Sequence, residues 1–465
     1  MNANEKNRDP NRIAPSRREL LRTASTGFGY LALSALMADP AYGGTPASRV
    51  PHFPPKAKNV IFLFMPGGVS HMDTFDPKPK LADLDGKVST GNRKWLKCPW
   101  KFKTYGQMGL PVSELFPELS TIVDDLTVVR SMKSEFPLHA RANVFLHTGR
   151  NISGFPSIGS WVTYGLGSEN KNLPGYLLLN DGDTPPGGME NFSNGFLPAS
   201  YQAMGVRAEG VAVDNITPGD SDEIQRLKMQ VLAGQDKAFL ASVDHEQAVE
   251  ASIANFEMAY RMQSLAPDVL SLDKETESIK KLYGLDAQNP HKRLYGLQCL
   301  RARRLVEAGV RFVEVTCPLV MKTNGTWDQH TDLKKGHETN AMVTDQAVTG
   351  LIKDLKARGL LKDTLVLWAG EFGRTPDTSN GDGRDHHTQG FTIWMAGGGA
   401  KPGTLYGATD DIGKEAIENV VTVHDLHATV LQLLGIDHTR LTYRYGGRDV
   451  TLPDVHGQVV KQLIA

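Results

Sequence analysis

The 465-residue chain has only three cysteines, Cys98, Cys299 and Cys317, and no CxxC pair. That excludes a disulfide framework and a zinc knuckle, and leaves isolated thiols, buried or partly buried. A charge bias is missing too: the formal net charge is −1, so composition carries no footprint for nucleic acid. No apolar run is long enough to span a bilayer comfortably, the longest reaching about 15 residues where about 20 are needed. Internal repeats and low-complexity tracts are absent, and the 46 glycines and 26 prolines stand near average frequency. What remains is an ordered globular chain, 40% hydrophobic, enough for one large domain or two ordinary ones.

The first segment reads as an address. SRRELLR (16–22) sets paired arginines before an apolar stretch, Ala24–Ala38, and AYG (41–43) offers small residues at a cleavage spacing. This resembles a twin-arginine export signal over residues 1–43. Its removal takes the net charge to −3. The expected product, residues 44–465, is a protein without a stable transmembrane segment. It is delivered to the periplasm or outside the cell after folding, a route that suits a chain acquiring a metal beforehand.

KNVIFLFMPGG (58–68) reads as a fully buried strand stopped by Pro66-Gly67-Gly68. PVSELFPELSTIVDDLTVVRSM (111–132) has helical spacing leading into a short strand, and GYLLLN (175–180) is another strand. From about 220 to 290 the composition turns helical and charged, which predicts a helical insertion. Then come a helix over 293–310, a strand over 311–317, a helix over 337–359, strands TLVLW (364–368) and FTIWMA (391–396), and a helix over 423–435. The last two helices close on Gly359 and Gly435, as a glycine just past the final turn does. Strands alternating with helices predict a single α/β domain with a mostly parallel sheet and helices on both faces.

In such sheets ligands bind beyond the carboxyl ends of the strands, and there the polar residues collect. Ser70, His71, Asp73 and Asp76 follow the first strand. Asp328, His330 and Asp332 follow strand 311–317, and Glu371 and Arg374 follow strand 364–368. Asp385, His386 and His387 precede strand 391–396. Asp, Glu and His hold divalent ions through oxygen and imidazole nitrogen, so zinc, calcium or manganese is the expected cofactor. Adjacent His386 and His387 cannot both face one ion from extended chain; one ligates, and the other orients or contacts substrate. Asp385 is either a ligand or an acceptor for an imidazole N–H. Each residue also has a plainer reading: Asp73 and Asp76 suit turns, Glu371 suits a pair with Arg374, and His330 suits an exposed surface.

The order of these motifs resembles the alkaline phosphatase–sulfatase core superfamily. More narrowly, GGVSHMDTFDPKP, CLRARRLVEAGVRFVEV, WDQH, GEFGRTP, GRDHH and AGGGAKPGTLYGATDD, with the twin-arginine leader, resemble a sulfatase-like exported bacterial family carrying a domain of unknown function. The resemblance covers about residues 55–460. It implies an alkaline-phosphatase-like fold, with metal ions that polarise ester oxygens around a nucleophile attacking phosphorus or sulfur. It also implies Asp328 and His330 as mid-chain ligands, Glu371 as an acidic ligand and His386 or His387 as the late histidine. Arg374 would hold an anionic ester oxygen, and Asp73 and Asp385 complete the candidate metal ligands.

The chain departs from that pattern in two places. Pro66-Gly67 stands where the superfamily carries an aspartate after its first strand, with Asp73 several residues later. The sulfatase Cys-x-Pro-x-Arg segment is replaced by HARANVFLHTG (139–149), with His139 at the nucleophile's distance from Thr148-Gly149, so a formylglycine enzyme is not expected. Ser70 or His139 replaces the nucleophile, water activated by the metal does so, or catalysis is lost. The expected function is an exported metal-dependent hydrolase of phosphate or sulfate esters on a small molecule or glycan. The alternative is a non-catalytic binding protein for an envelope partner or glycan on a degenerate form of the same fold.

Overall fold

The computed structural model describes residues 49–465, apart from 181–183, 208–211, 214–215, 218, 244–245, 319, 321–326, 380 and 455. The proposed leader lies outside the described residues. Thr45–Ala465 form one compact unit.

A nine-stranded sheet organises that unit. Its strands are β1 (Asn59–Phe64), β2 (Leu126–Lys133), β3 (Tyr176–Asn180), β4 (Met204–Arg207), β5 (Phe312–Thr316), β6 (Thr364–Ala369), β7 (Phe391–Ala396), β8 (Thr404–Tyr406) and β9 (Val421–Thr422). The order across the sheet is β8-β2-β7-β6-β1-β5-β3-β4, with β9 also on β2. β1 sits in the middle, parallel to both β5 and β6, with Val60 opposite Phe312 on one side and Leu365 on the other. Its side chains divide by the two-residue period of a strand. Ile61, Leu63 and Met65 enter one core, and Val60, Phe62 and Phe64 the other. The unbroken apolar run from Val60 to Met65 is what a strand covered on both faces requires.

The α-helices longer than five residues are α1 (His139–Thr148), α2 (Ile158–Leu166), α3 (Asp222–Ser242), α4 (Gln247–Leu270), α5 (Glu277–Leu282), α6 (Pro290–Glu307), α7 (Leu333–Ala357) and α8 (Val423–Leu433). Residues of α4, α6 and α7 pack into the Ile61 core, and those of α1, α2 and α8 into the Phe62 core. α3, α4 and α5 occupy 222–282, between β4 and β5.

One expectation needs correction. Residues 111–132 do not start as a helix: Leu110–Ser113 is a strand in a small ribbon, and only Leu119–Asp125 winds, as 3-10 helix. Pro111 and Pro117 remove the amide hydrogens that an α-helix would need there. The sheet is mostly parallel, but β7 runs antiparallel to both β6 and β2. No helix lies between β6 and β7, so the chain turns straight back instead of crossing over.

Candidate metal centre

The reversal of β7 places the start of that strand at the sheet edge where β1, β2, β5 and β6 end. Five segments therefore meet there: Gly67-Gly68 after β1, Pro137–His139 after β2, Asp328 and His330 after β5, Glu371 and Arg374 after β6, and Asp385–His387 before β7. The β5 and β7 loops are laced together, the Arg384 amide donating to the Gln329 carbonyl at 3.0 Å and the Leu333 amide to that of Asp382 at 3.1 Å. Gly383 permits this approach: a Cβ there would lie 1.9 Å from the His330 carbonyl oxygen.

Asp328 Oδ1 is the focus. Nε2 of His139 lies 3.2 Å from it, Nε2 of His330 3.1 Å and Nε2 of His386 3.2 Å. Nη2 of Arg374 donates to the same oxygen at 2.6 Å. His330 Nε2 is 2.9 Å from His386 Nε2, and the ligand atoms of His139, Asp328 and His386 all fall within 4.8 Å of one another.

The opposite nitrogen of each ring is already engaged. His139 Nδ1 meets Glu371 Oε1 at 2.5 Å, His330 Nδ1 meets Asp385 Oδ1 at 2.9 Å, and His386 Nδ1 meets the Pro137 carbonyl at 2.7 Å. A carbonyl and two carboxylates accept, so each Nδ1 carries the proton. In the neutral rings each Nε2 is then a lone pair. Three lone pairs and a carboxylate oxygen thus face one another. His139 Nε2 is buried and misaligned for a hydrogen bond to Asp328 despite its closeness. A cation resolves this crowding, and a carboxylate or carbonyl behind each imidazole is the usual support of a metal-bound histidine. Ligand atoms around a four-coordinate zinc stand about 3.3–3.5 Å apart for bonds of about 2.0–2.2 Å, near the 3.1–3.2 Å between each Nε2 and Asp328 Oδ1; His139, Asp328 and His386 form the mutually close set, and His330 joins it through Asp328 and His386. The residues present fit a divalent ion.

Without an ion, protons take its place. Burial pulls the His139 imidazole down, but the Asp328 and Glu371 carboxylates outweigh it and hold its pKa up at about 9. Burial opposes ionisation of Asp328, yet His139, His386 and Arg374 together drive its pKa far below the carboxylate range. Asp385 is likewise lowered, burial being overcome by His330, Arg93 and Ser379.

The sequence candidates divide in space. Asp328, His330, His386 and His139 supply the converging atoms, and Asp385 stands one bond behind His330. Glu371, expected as a ligand, has its carboxylate on the amides of Gly67 at 3.0 Å and Gly68 at 3.3 Å and on His139. That cradle needs glycine, because Gly68 has φ +68° and a Cβ there would meet the Phe372 ring at 2.6 Å. Arg374, expected to hold an ester oxygen, is buried, and every guanidinium nitrogen is committed: Nε to the Gly68 carbonyl at 2.8 Å, Nη1 to that of Arg384 at 2.9 Å, and Nη2 to Gly67 and Asp328. It braces the β1, β5 and β7 loops. Asp73 and Ser70 lie in a separate buried cluster, where Arg384 Nε donates to Asp73 Oδ2 at 2.6 Å and the Ser70 hydroxyl to the same oxygen at 2.5 Å. His387 points away from the cluster and meets the Lys414 carbonyl.

Sequence reading passed over Arg384, the glycine amides and the Pro137 carbonyl. GRDHH carries a signal for the first, an arginine inside the ligand motif. A backbone group leaves none.

No curated protein matches the chain in sequence. Solved structures that are similar include a putative sulfatase from Bacteroides thetaiotaomicron, 10% identical over 88% of this chain and 74% of that one, with a TM-score of 0.41. The lipoteichoic acid synthase LtaP from Listeria monocytogenes is 13% identical over 85% and 76%, TM-score 0.34. The C-terminal periplasmic domain of EcEptC from Escherichia coli, in complex with Zn, is 10% identical over 84% and 86%, TM-score 0.36. At these values the likenesses carry no inference about activity. The sequence profile of one family, described as "Protein of unknown function (DUF1501)", matches residues 57–464, and the chain belongs to that family.

Proposed function

We propose that the chain is a metal-dependent hydrolase of phosphate or sulfate esters, its ion held by His139, His330, His386 and Asp328. The observation that carries this reading is the convergence of three imidazole Nε2 atoms on one carboxylate oxygen, each ring fixed from behind through Nδ1. A divalent ion in that place supplies Lewis-acid polarisation of an ester oxygen and lowers the pKa of water. Nitrogen-rich donors suit zinc better than calcium or manganese, which favour oxygen donors.

The chain's own residues do the positioning. Glu371, Asp385 and the Pro137 carbonyl set the tautomer and tilt of the three rings. α1 starts at His139, and its N-cap residue Leu138 offers no side-chain acceptor, so the positive end of the helix faces the centre uncapped. That end favours an anionic group, which supports an ester of phosphate or sulfate over a neutral one. Export through the twin-arginine signal to the periplasm or beyond belongs to the same proposal.

A second reading, a non-catalytic metal-binding protein on the same fold, is favoured by one observation. Ser70, the hydroxyl offered as nucleophile, is buried and bonded to Asp73. The two readings separate by elemental analysis of the purified protein, followed by assay on phosphate monoesters, phosphate diesters and sulfate esters with and without zinc and manganese. Metal-dependent turnover supports the hydrolase. Bound metal without turnover selects the binding protein, and no bound metal after reconstitution removes both.

A further inference from the structure

Arg93 comes from a segment nearly 300 positions away from the β7 loop and carries no motif. Its turn is tight, the Ser89 amide donating to the Arg93 carbonyl at 3.0 Å and the Arg93 amide to that of Thr90 at 2.9 Å. The next two residues, Lys94–Trp95, pair antiparallel with Asp377–Thr378. This two-residue ribbon holds the guanidinium over the loop that leads to the histidines. There its fork spans two carboxylates. Nε and Nη2 donate to Asp377 Oδ1 at 2.9 and 2.6 Å, and Nη1 reaches Asp385 Oδ2 at 2.6 Å. Nη2 also meets Thr375 Oγ1 at 3.2 Å, the same hydroxyl that accepts from the Asp385 amide at 3.1 Å.

Asp385 thus has one oxygen on His330 and the other on Arg93 and Ser379. Its side chain is about a quarter exposed, so these contacts hold it against turning to solvent. It also stands near a second carboxylate, since His330 bridges it to Asp328 at 2.9 and 3.1 Å. Two anions on one ring repel each other, and the Arg93 charge offsets that repulsion on the Asp385 side.

We propose that Arg93 is a positioning residue of the metal centre: through Asp385 it fixes the tilt and Nδ1 proton of His330, and so the aim of one ligand nitrogen. This rests on the metal reading above. It also assigns a role to the ribbon as a clamp on the centre. An arginine is needed, since its planar fork holds donors in fixed, separated directions toward Asp377 and Asp385, which a compact ammonium on a flexible stem does not.

The test is the affinity of the full chain for zinc, by competition with a chelating indicator, together with the visible absorption of the cobalt-substituted protein. Arg93→Ala is expected to weaken zinc binding by about tenfold or more, as loss of outer support to a ligand does, and to alter the cobalt spectrum. Arg93→Lys should rescue neither. Asp345→Asn is the control: Asp345 on α7 accepts the Glu118 and Leu119 amides at 2.8 Å, away from the centre, so its loss costs stability without touching Arg93 or Asp385. It should lower the thermal midpoint as much as Arg93→Ala does, yet keep zinc affinity within about twofold. If Arg93→Ala binds zinc as wild type does, or if both variants lose affinity equally, the positioning role is overturned and the metal reading stands. A wild type that takes up neither ion overturns both. Should Arg93→Ala not fold, Arg93→Gln, which keeps the length and one donor, is read against the same two outcomes.

Discussion

His386 and His387 occupy consecutive positions of a two-residue strand paired with Gly373–Arg374, and successive strand side chains point to opposite faces. His386 accordingly faces Asp328 while His387 meets the Lys414 carbonyl. Replacing them one at a time should separate them. His386→Ala should cut zinc affinity by more than about tenfold, and His387→Ala should leave metal content near the wild-type level after dialysis against a weak chelator. Equal loss from both would mean that His387 also ligates. Asp73, another aspartate proposed from sequence, is predicted to matter for stability and not for metal. It holds the buried Arg384 guanidinium, whose charge would otherwise lie uncompensated, so Asp73→Asn should lower unfolding free energy by about 3–5 kcal/mol in denaturant titration with metal stoichiometry unchanged. Sequence could nominate Asp73 and Asp385, because each flanks a strand of the sheet. It could not sort them, because the sorting depends on Arg384, which lies more than 300 positions from Asp73 and one from Asp385.

α1 shows what an element contributes beyond its end residue. His139 opens the helix at the centre, and two turns later His147 enters the core, where its Nε2 meets Glu314 Oε1 on β5 at 2.8 Å and Glu314 Oε2 accepts from Tyr176 at 2.8 Å. The far end of α1 is thus tied to the strand that also delivers Asp328. Burial opposes the His147 charge, but Glu314 outweighs it and raises the imidazole pKa above its ordinary value. A group whose folded pKa is raised adds stability that is fully present below its unfolded pKa, about 6.5, and is lost as pH rises through the folded value. Wild-type unfolding free energy should therefore carry a negative slope with pH above about 6.5 that Glu314→Gln makes shallower, leaving the part due to His139; matching slopes in the two proteins would refute the pairing. The long periodic helices and apolar strands were legible in sequence because burial on one face or both leaves a repeating pattern. The 111–132 segment was misread because helical spacing outweighed two prolines, and the direction of β7 was hidden because a strand buried on both faces looks alike either way round.

Across the whole molecule the centre draws on residues from Gly67 to His386, on loops joined through the sheet and through the contacts of Glu371 and Arg374. An ion held there binds the native state and not the unfolded chain, so it should stabilise globally. At a free concentration one hundred times its Kd the gain is about 2.7 kcal/mol, seen as a rise in Tm that excess chelator reverses; a Tm indifferent to zinc and chelator would argue against a shared site. The sheet edge was foreseeable, since parallel strands deliver their loops to one side. The ring geometry was not, because tautomers are set by what stands behind each histidine. The late position of β7 has one more consequence, in time and not in space. During synthesis β1 emerges early, yet the reversal that brings His386 beside Asp328 cannot form until the chain has been made past residue 396. Until then His139 and Glu371 have a partner in each other but no completed ligand set, so a nascent or prematurely ended chain should show no tight zinc binding however well its earlier strands have paired.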